Sequence, residues 1–207
     1  MSAGGEKAAQ SASTPDLRRT VVLVAALNVA YFAVEFAMAR AIGSVSLFAD
    51  SIDFLEDASV NALVLLAIGL SARNRRRAGL GFALLLLVPS VAALWTAWEK
   101  LVHPSMADPA ALTLTATGAL LVNGLCATLL ARVRHSGGSL SKAAFLSARN
   151  DVIANIAMIA AGLLSAAYPT IWPDLVVGLG IAALNLGAAR EVAEAAMGET
   201  DEINQFK

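Results

Sequence analysis

The sequence predicts an all-α fold, a polytopic integral membrane protein built as a bundle of six transmembrane helices, and three observations predict it. First, 57% of the 207 residues are hydrophobic and only 15% are charged, with a mean hydropathy of +0.67, a composition that soluble domains of this size rarely have. Second, six segments are long enough to cross a hydrocarbon core, which takes roughly 20 helical residues. Third, the basic residues collect in alternate connections between those segments, as they do on the cytoplasmic side of a membrane.

In chain order, residues 1–17 are rich in Ala, Ser and Gly, carry Pro15 and lack an apolar run. They read as a disordered cytoplasmic lead-in. They do not read as a signal peptide, because the first apolar run follows Arg18-Arg19 and Glu35 interrupts it before any small-residue cleavage site. The predicted spans are Thr20–Ala39, Ser44–Ser71, Leu80–Leu101, Ala110–Ala131, Ala143–Ala166 and Leu175–Glu194. Pro89 should kink the third, and Gly178, Gly180 and Gly187 in the sixth permit close helix approach. Residues 18–196 thus form one transmembrane domain, and 197–207 a short cytoplasmic tail.

Arg73, Arg75, Arg76 and Arg77 follow the second span, and Arg132, Arg134 and Lys142 flank the fourth-to-fifth connection. Lys7, Arg18, Arg19, Arg190 and Lys207 fall on the same side, against only Arg40 and Lys100 on the other. The positive-inside rule therefore places both termini in the cytoplasm, and the short loops and uncleaved first span suit an inner (plasma) membrane. Trp95, Trp98, Tyr168 and Trp172 fall near the outer ends of their spans, as interfacial aromatics should.

The chemistry is concentrated in Ser44–Asp57, where Asp50, Asp53, Glu56 and Asp57 interrupt a membrane-like segment. A carboxylate at mid-bilayer costs about 2.5–3.5 kcal/mol on insertion scales, so a cation or a proton has to neutralise these groups. At about 100° per residue, Ser46, Asp50, Asp53, Asp57 and Asn61 share one stripe, with Glu56 to its side. In the fifth span Ser147, Asp151 and Asn155 repeat every four residues on one face. Asp53 and Asp57 on one helix and Asp151 on the other, helped by Ser147 or Asn155, present the oxygen ligands that hard divalent cations prefer. Asp50 shares the stripe as a path residue, and Glu56 reads as a partner for positive charge. Asn28 and Glu35 share a face of the first span, whereas Asn123 and Asn185 read as interhelical hydrogen bonds. Arg149 reads as a charge compensator or a snorkelling side chain.

Several classes are excluded. A net charge of −1 gives no reason to expect nucleic acid. Cys126 is the only cysteine, which rules out an internal disulfide and a multi-thiolate zinc site. No phosphate-cradling loop, nucleophile elbow or zinc-protease motif is present, so neither an enzyme nor a resident cofactor is expected.

The run from Ser44 through Ala49-Asp50 to Asp53-x-x-x-Asp57, resumed at Ser147-x-x-x-Asp151 with Asn155 beyond it, resembles the cation diffusion facilitator family of proton-coupled exporters of zinc, cobalt, cadmium, manganese and similar metals. The resemblance implies a six-helix transmembrane domain and a homodimer. It also implies a tetrahedral metal site to which the second and fifth helices each give a His-or-Asp-x-x-x-Asp pair. Ser147 departs from that pattern, and the chain stops short of the cytoplasmic domain common in the family. The expected function is a divalent metal–proton antiporter exporting metal from the cytoplasm, with the metal as transported substrate. The alternatives are a non-transporting membrane partner of a full-length exporter and, more weakly, a proton or cation channel.

Overall fold

The computed structural model describes residues 14–67, 81, 87, 91–133 and 138–187. Among them are six helices and no strand: α1 (Thr14–Ile42), α2 (Val45–Ala67), α3 (91–102), α4 (Pro109–Val133), α5 (Gly138–Ala167) and α6 (Trp172–Gly187). The all-helical expectation holds. The Pro89 kink, the Arg73–Arg77 loop and the course of the sixth helix past Gly187 lie outside the described residues.

Local sequence explains where the helices start and stop. α1 begins at Thr14, ahead of the predicted span. Pro15 falls in the first turn, where its missing N–H costs nothing. α1 ends at Gly43, whose φ of 64° lies in the left-handed region. The Ser44 N–H then donates back to the Ala39 carbonyl at 3.1 Å, which closes the helix end. Ser44 at once caps α2, its Oγ accepting the Leu47 N–H at 3.2 Å. Two helices are thus joined by a two-residue turn. α4 starts similarly, with Asp108 Oδ1 accepting the Ala111 N–H at 2.7 Å and Pro109 in the first turn.

A Cβ at position 43 would meet nothing nearer than Ser105 Oγ at 3.9 Å. Any loss on Gly43→Ala is therefore backbone strain, about 1–2 kcal/mol for a left-handed residue with a side chain. Thermal unfolding in detergent should show that loss, and Gly43→Asn should show less of it.

Packing follows from helical periodicity. Val21, Val24, Asn28, Glu35 and Ala39 recur three, four or seven apart and are the buried stripe of α1. α4 buries Leu112, Thr115, Ala116, Ala119, Asn123, Cys126, Leu130 and Val133. These stripes bring α1 against α2 and α4, α4 against α5, and α2 against α5. The main apolar cluster, with Leu47, Phe48, Ile52, Leu112, Met158 and Ile181, joins α2, α4, α5 and α6.

Several polar side chains are fully buried while many large apolar ones face outward. Asn28, Glu35, Asp50 and Asn155 have no exposed surface, whereas Leu114, Leu121 and Leu184 are at least 70% exposed. That inversion suits hydrocarbon as the surrounding solvent. By length and composition α1, α4 and α5 supply three helices able to cross a membrane, and α6 is apolar but shorter. α2 is 23 residues long, and its four acids, three of them in the first half, set it apart from an ordinary span. Trp95, Trp98, Tyr168 and Trp172 are all well exposed near the end of the bundle that holds the α1–α2 turn.

Candidate cation site

The stripe on α2 faces inward. Asp53, Glu56 and Asp57 line a pocket of about 180 Å³ together with Asn150, Asp151 and Ala154 of α5 and Ile181, Leu184 and Asn185 of α6. Asp53 and Asp57 are one turn apart on α2, and Asp151 approaches from α5, close enough to Asp57 for their carboxyls to share a hydrogen bond. The three carboxylates expected to cooperate are therefore brought to one cavity. Glu56 lines it too, although sequence spacing sets it beside the stripe as a partner for positive charge. Arg149 is exposed.

Asp50 and Asn155 lie one helical turn away from this pocket, toward the α1–α2 turn, and form a second tier. Asn155 Nδ2 donates to Asp50 Oδ2 at 2.8 Å, and Asn123 Nδ2 donates to Asn155 Oδ1 at 3.0 Å. The Glu35 carboxyl lies against that of Asp50. One polar chain thus runs from α4 through α5 and α2 to α1. Cys126 Sγ–H points to Asn28 Oδ1 at 3.7 Å, and Tyr31 Oη donates to the Thr115 carbonyl at 2.7 Å. The side chain of Ser147 lies outside the described residues, although its backbone is one turn before Asp151 in α5.

The second tier has more acceptors than donors. Both Glu35 oxygens, Asp50 Oδ1 and Asn123 Oδ1 are buried without a hydrogen-bond partner. A carboxyl facing a carboxyl in low dielectric is satisfied by a proton or a cation between them. The tier is thus suited to holding positive charge next to the pocket. Among the described residues, no three His, Cys, Asp or Glu groups are gathered closely enough to grip a metal ion as they stand. Oxygen ligands bind such ions at about 2.0–2.6 Å, so loading the pocket requires the carboxylates to close on the ion.

Asn155 is the hub of the chain, and replacing it tests the network. Asn155→Leu deprives both Asp50 and Asn123 of a partner, whereas Asn123→Leu deprives only Asn155. At about 1 kcal/mol per interhelical hydrogen bond, the first variant is expected to lose about twice the stability of the second. Denaturation in mild detergent measures both.

A third polar group sits beyond the second tier, at the start of α2. Asp174 accepts from Ser44 Oγ at 2.7 Å, Ser46 Oγ at 2.6 Å, the Val45 N–H at 3.0 Å and the Ser46 N–H at 3.1 Å. Lys100 of α3 pairs with it at 2.6 Å and also donates to the Gly43 carbonyl at 2.9 Å. Sequence reading counts Lys100 only toward orientation and does not single out Asp174. The available signal is Ser-x-Ser at a helix start, which leaves backbone N–H groups for a carboxylate to cap. Asn185, expected to be an interhelical hydrogen bond, donates to the Ala49 carbonyl at 2.9 Å and ties α6 to α2 between pocket and clasp.

The family model for the cation efflux transmembrane domain matches residues 21–198. No curated protein matches the chain.

Proposed function

The chain belongs to the cation efflux family, that of the cation diffusion facilitators, and is a membrane transporter of cations; on that premise we propose that it is a divalent transition-metal:proton antiporter that exports metal from the cytoplasm. The observation that carries this reading is the convergence of Asp53 and Asp57 of α2 with Asp151 of α5 on one pocket beside α6. Asp53, Asp57 and Asp151 are the ligands, and Ser147 completes the shell directly or through water. Asp50 and Asn155 form the adjoining tier through which charge reaches or leaves the site.

Exchange follows from competition. A carboxyl must be deprotonated to bind a metal, so loading the pocket releases protons and reprotonation expels the metal. If α2, α5 and α6 rock so that the pocket opens to either side in turn, competition becomes antiport, metal outward and protons inward. The pocket lining contains neither histidine nor cysteine among the described residues. Such an oxygen-rich set favours manganese, cobalt or iron(II) over softer ions, while the family pattern keeps zinc among the substrates to be tried. The transport unit is residues 18–196, working as a homodimer in the inner (plasma) membrane with both termini cytoplasmic, the orientation that the basic residues favour.

The test is flux. Proteoliposomes loaded with a metal-sensitive dye and given a pH gradient should accumulate the ion only when the gradient is present, and dissipating it should abolish accumulation. Metal flux that ignores the gradient would replace antiport with a channel. Absence of flux together with intact metal binding would favour a non-transporting partner subunit.

A further inference from the structure

The polar stripe of α2 does not stop at the pocket. Asp57, Asp53, Asp50 and Ser46 follow one another along one side of the helix, and Ser46 is seven residues, or roughly 10 Å, from Asp53. On α6 Asp174 is likewise seven residues from Ile181, which lines the pocket. A cation moving along the stripe toward the α1–α2 turn therefore arrives beneath Asp174. There α2 and α6 are closed against each other: Gly178 packs so tightly that a Cβ on it would lie 2.7 Å from the Val45 and Ser46 backbone. Lys100, bonded to both Asp174 and Gly43, ties α3 to that contact and to the α1–α2 turn.

We propose that the Lys100–Asp174–Ser44–Ser46 clasp is the gate closing the cation pocket at the end of the bundle that holds the α1–α2 turn, and that it must come apart for the pocket to open there. The inference rests on the transport reading above. Its chemistry suits a gate better than a staple. Lys100 is 4% exposed and Asp174 2%, and a buried ion pair gains little over apolar packing because both charges lose their hydration. When the clasp separates, water rehydrates the ammonium, the carboxylate and the two N–H groups at the start of α2. Much of what was lost is thereby recovered, so the closed and open forms stay close in free energy, as switching requires. An apolar seal would gain nothing from wetting.

The first test reads which side of the membrane reaches the pocket, and it needs no cargo, so it stands apart from the identity of the transported ion. In a Cys126→Ser background, Ala154→Cys places one thiol in the pocket lining. A membrane-impermeant cationic thiol reagent is then applied to either face of sealed, oriented vesicles. With the clasp intact, labelling from the face of the α1–α2 turn should be slow. Asp174→Asn, and separately Lys100→Met, should raise the rate from the face of the α1–α2 turn at least tenfold while the rate from the opposite face falls. No change, or an equal rise from both faces, would overturn the proposal, the latter marking a loosened bundle rather than an opened gate. A second variant, Ser46→Cys with Asp174→Cys in the same Cys126→Ser background, is then cross-linked by mild oxidation. Cation flux should fall more than tenfold and return on reduction. Flux that persists through a cross-link verified by mass spectrometry would equally overturn it.

Discussion

Asp57→Ala and Asp151→Ala are each expected to abolish metal binding and gradient-driven flux, with affinity falling on the order of 100-fold or more. Even residues behind a ligand cost about 10–100-fold when replaced, and these carboxyls are proposed to touch the ion. Asp57 is 5% exposed in the bundle interior and lines the pocket together with Asp151 across the α2–α5 contact, so each variant removes one wall of the cavity. Fold loss is separated from site loss by the isosteric Asp57→Asn and Asp151→Asn, which keep volume and hydrogen bonding but not the charge. Calorimetric metal titration alongside thermal unfolding should show affinity lost at nearly unchanged stability. If the Asn variants transport as well as the parent, the ligand assignment fails.

Ser147→His is expected to have the next largest effect, and in the opposite direction. Position 147 is one helical turn before Asp151 in α5, so an imidazole there shares the face of the Asp151 carboxyl. Imidazole is a good zinc ligand, whereas a serine hydroxyl is not. The substitution should raise zinc affinity relative to manganese on the order of tenfold or more. Competition titrations of the two ions against parent and variant check this. An unchanged preference would mean that position 147 does not face the ion.

Much of the site is legible in the sequence, because carboxylates in apolar helices have few options. Asp53 and Asp57 stand at i and i+4, and a helix in lipid can turn them only toward its neighbours, so their shared face follows from periodicity and the cost of charge in hydrocarbon. The single inward acid of α5, Asp151, is fixed by the same reasoning. Glu56 is less legible. It sits three residues from Asp53, at the edge of the stripe, and which side it serves depends on the crossing of α2 with α5 and α6, which spacing does not set.

The clasp is hidden for another reason. Lys100 and Asp174 are 74 residues apart, each at the end of a different helix, and taken singly each looks like a solvated loop charge. Their burial arises only when three helix ends meet over Gly43. The early start of α1 is accessible from Pro15, a residue favoured in the first turn of a helix, which counts for more there than the absence of an apolar run. The polar chain from Asn123 to Glu35 is half legible: periodicity puts each member inside its helix, but not the order in which they bond.

In the proposed mechanism the same carboxylates bind metal and protons in competition. Its most direct measurement is proton release from purified protein in weak buffer as manganese or zinc is titrated in. The parent should release at least about one proton per ion bound, with apparent affinity rising as pH rises, and Asp151→Asn should release fewer protons or bind no ion. Metal bound with no proton released, at an affinity independent of pH, would contradict the account.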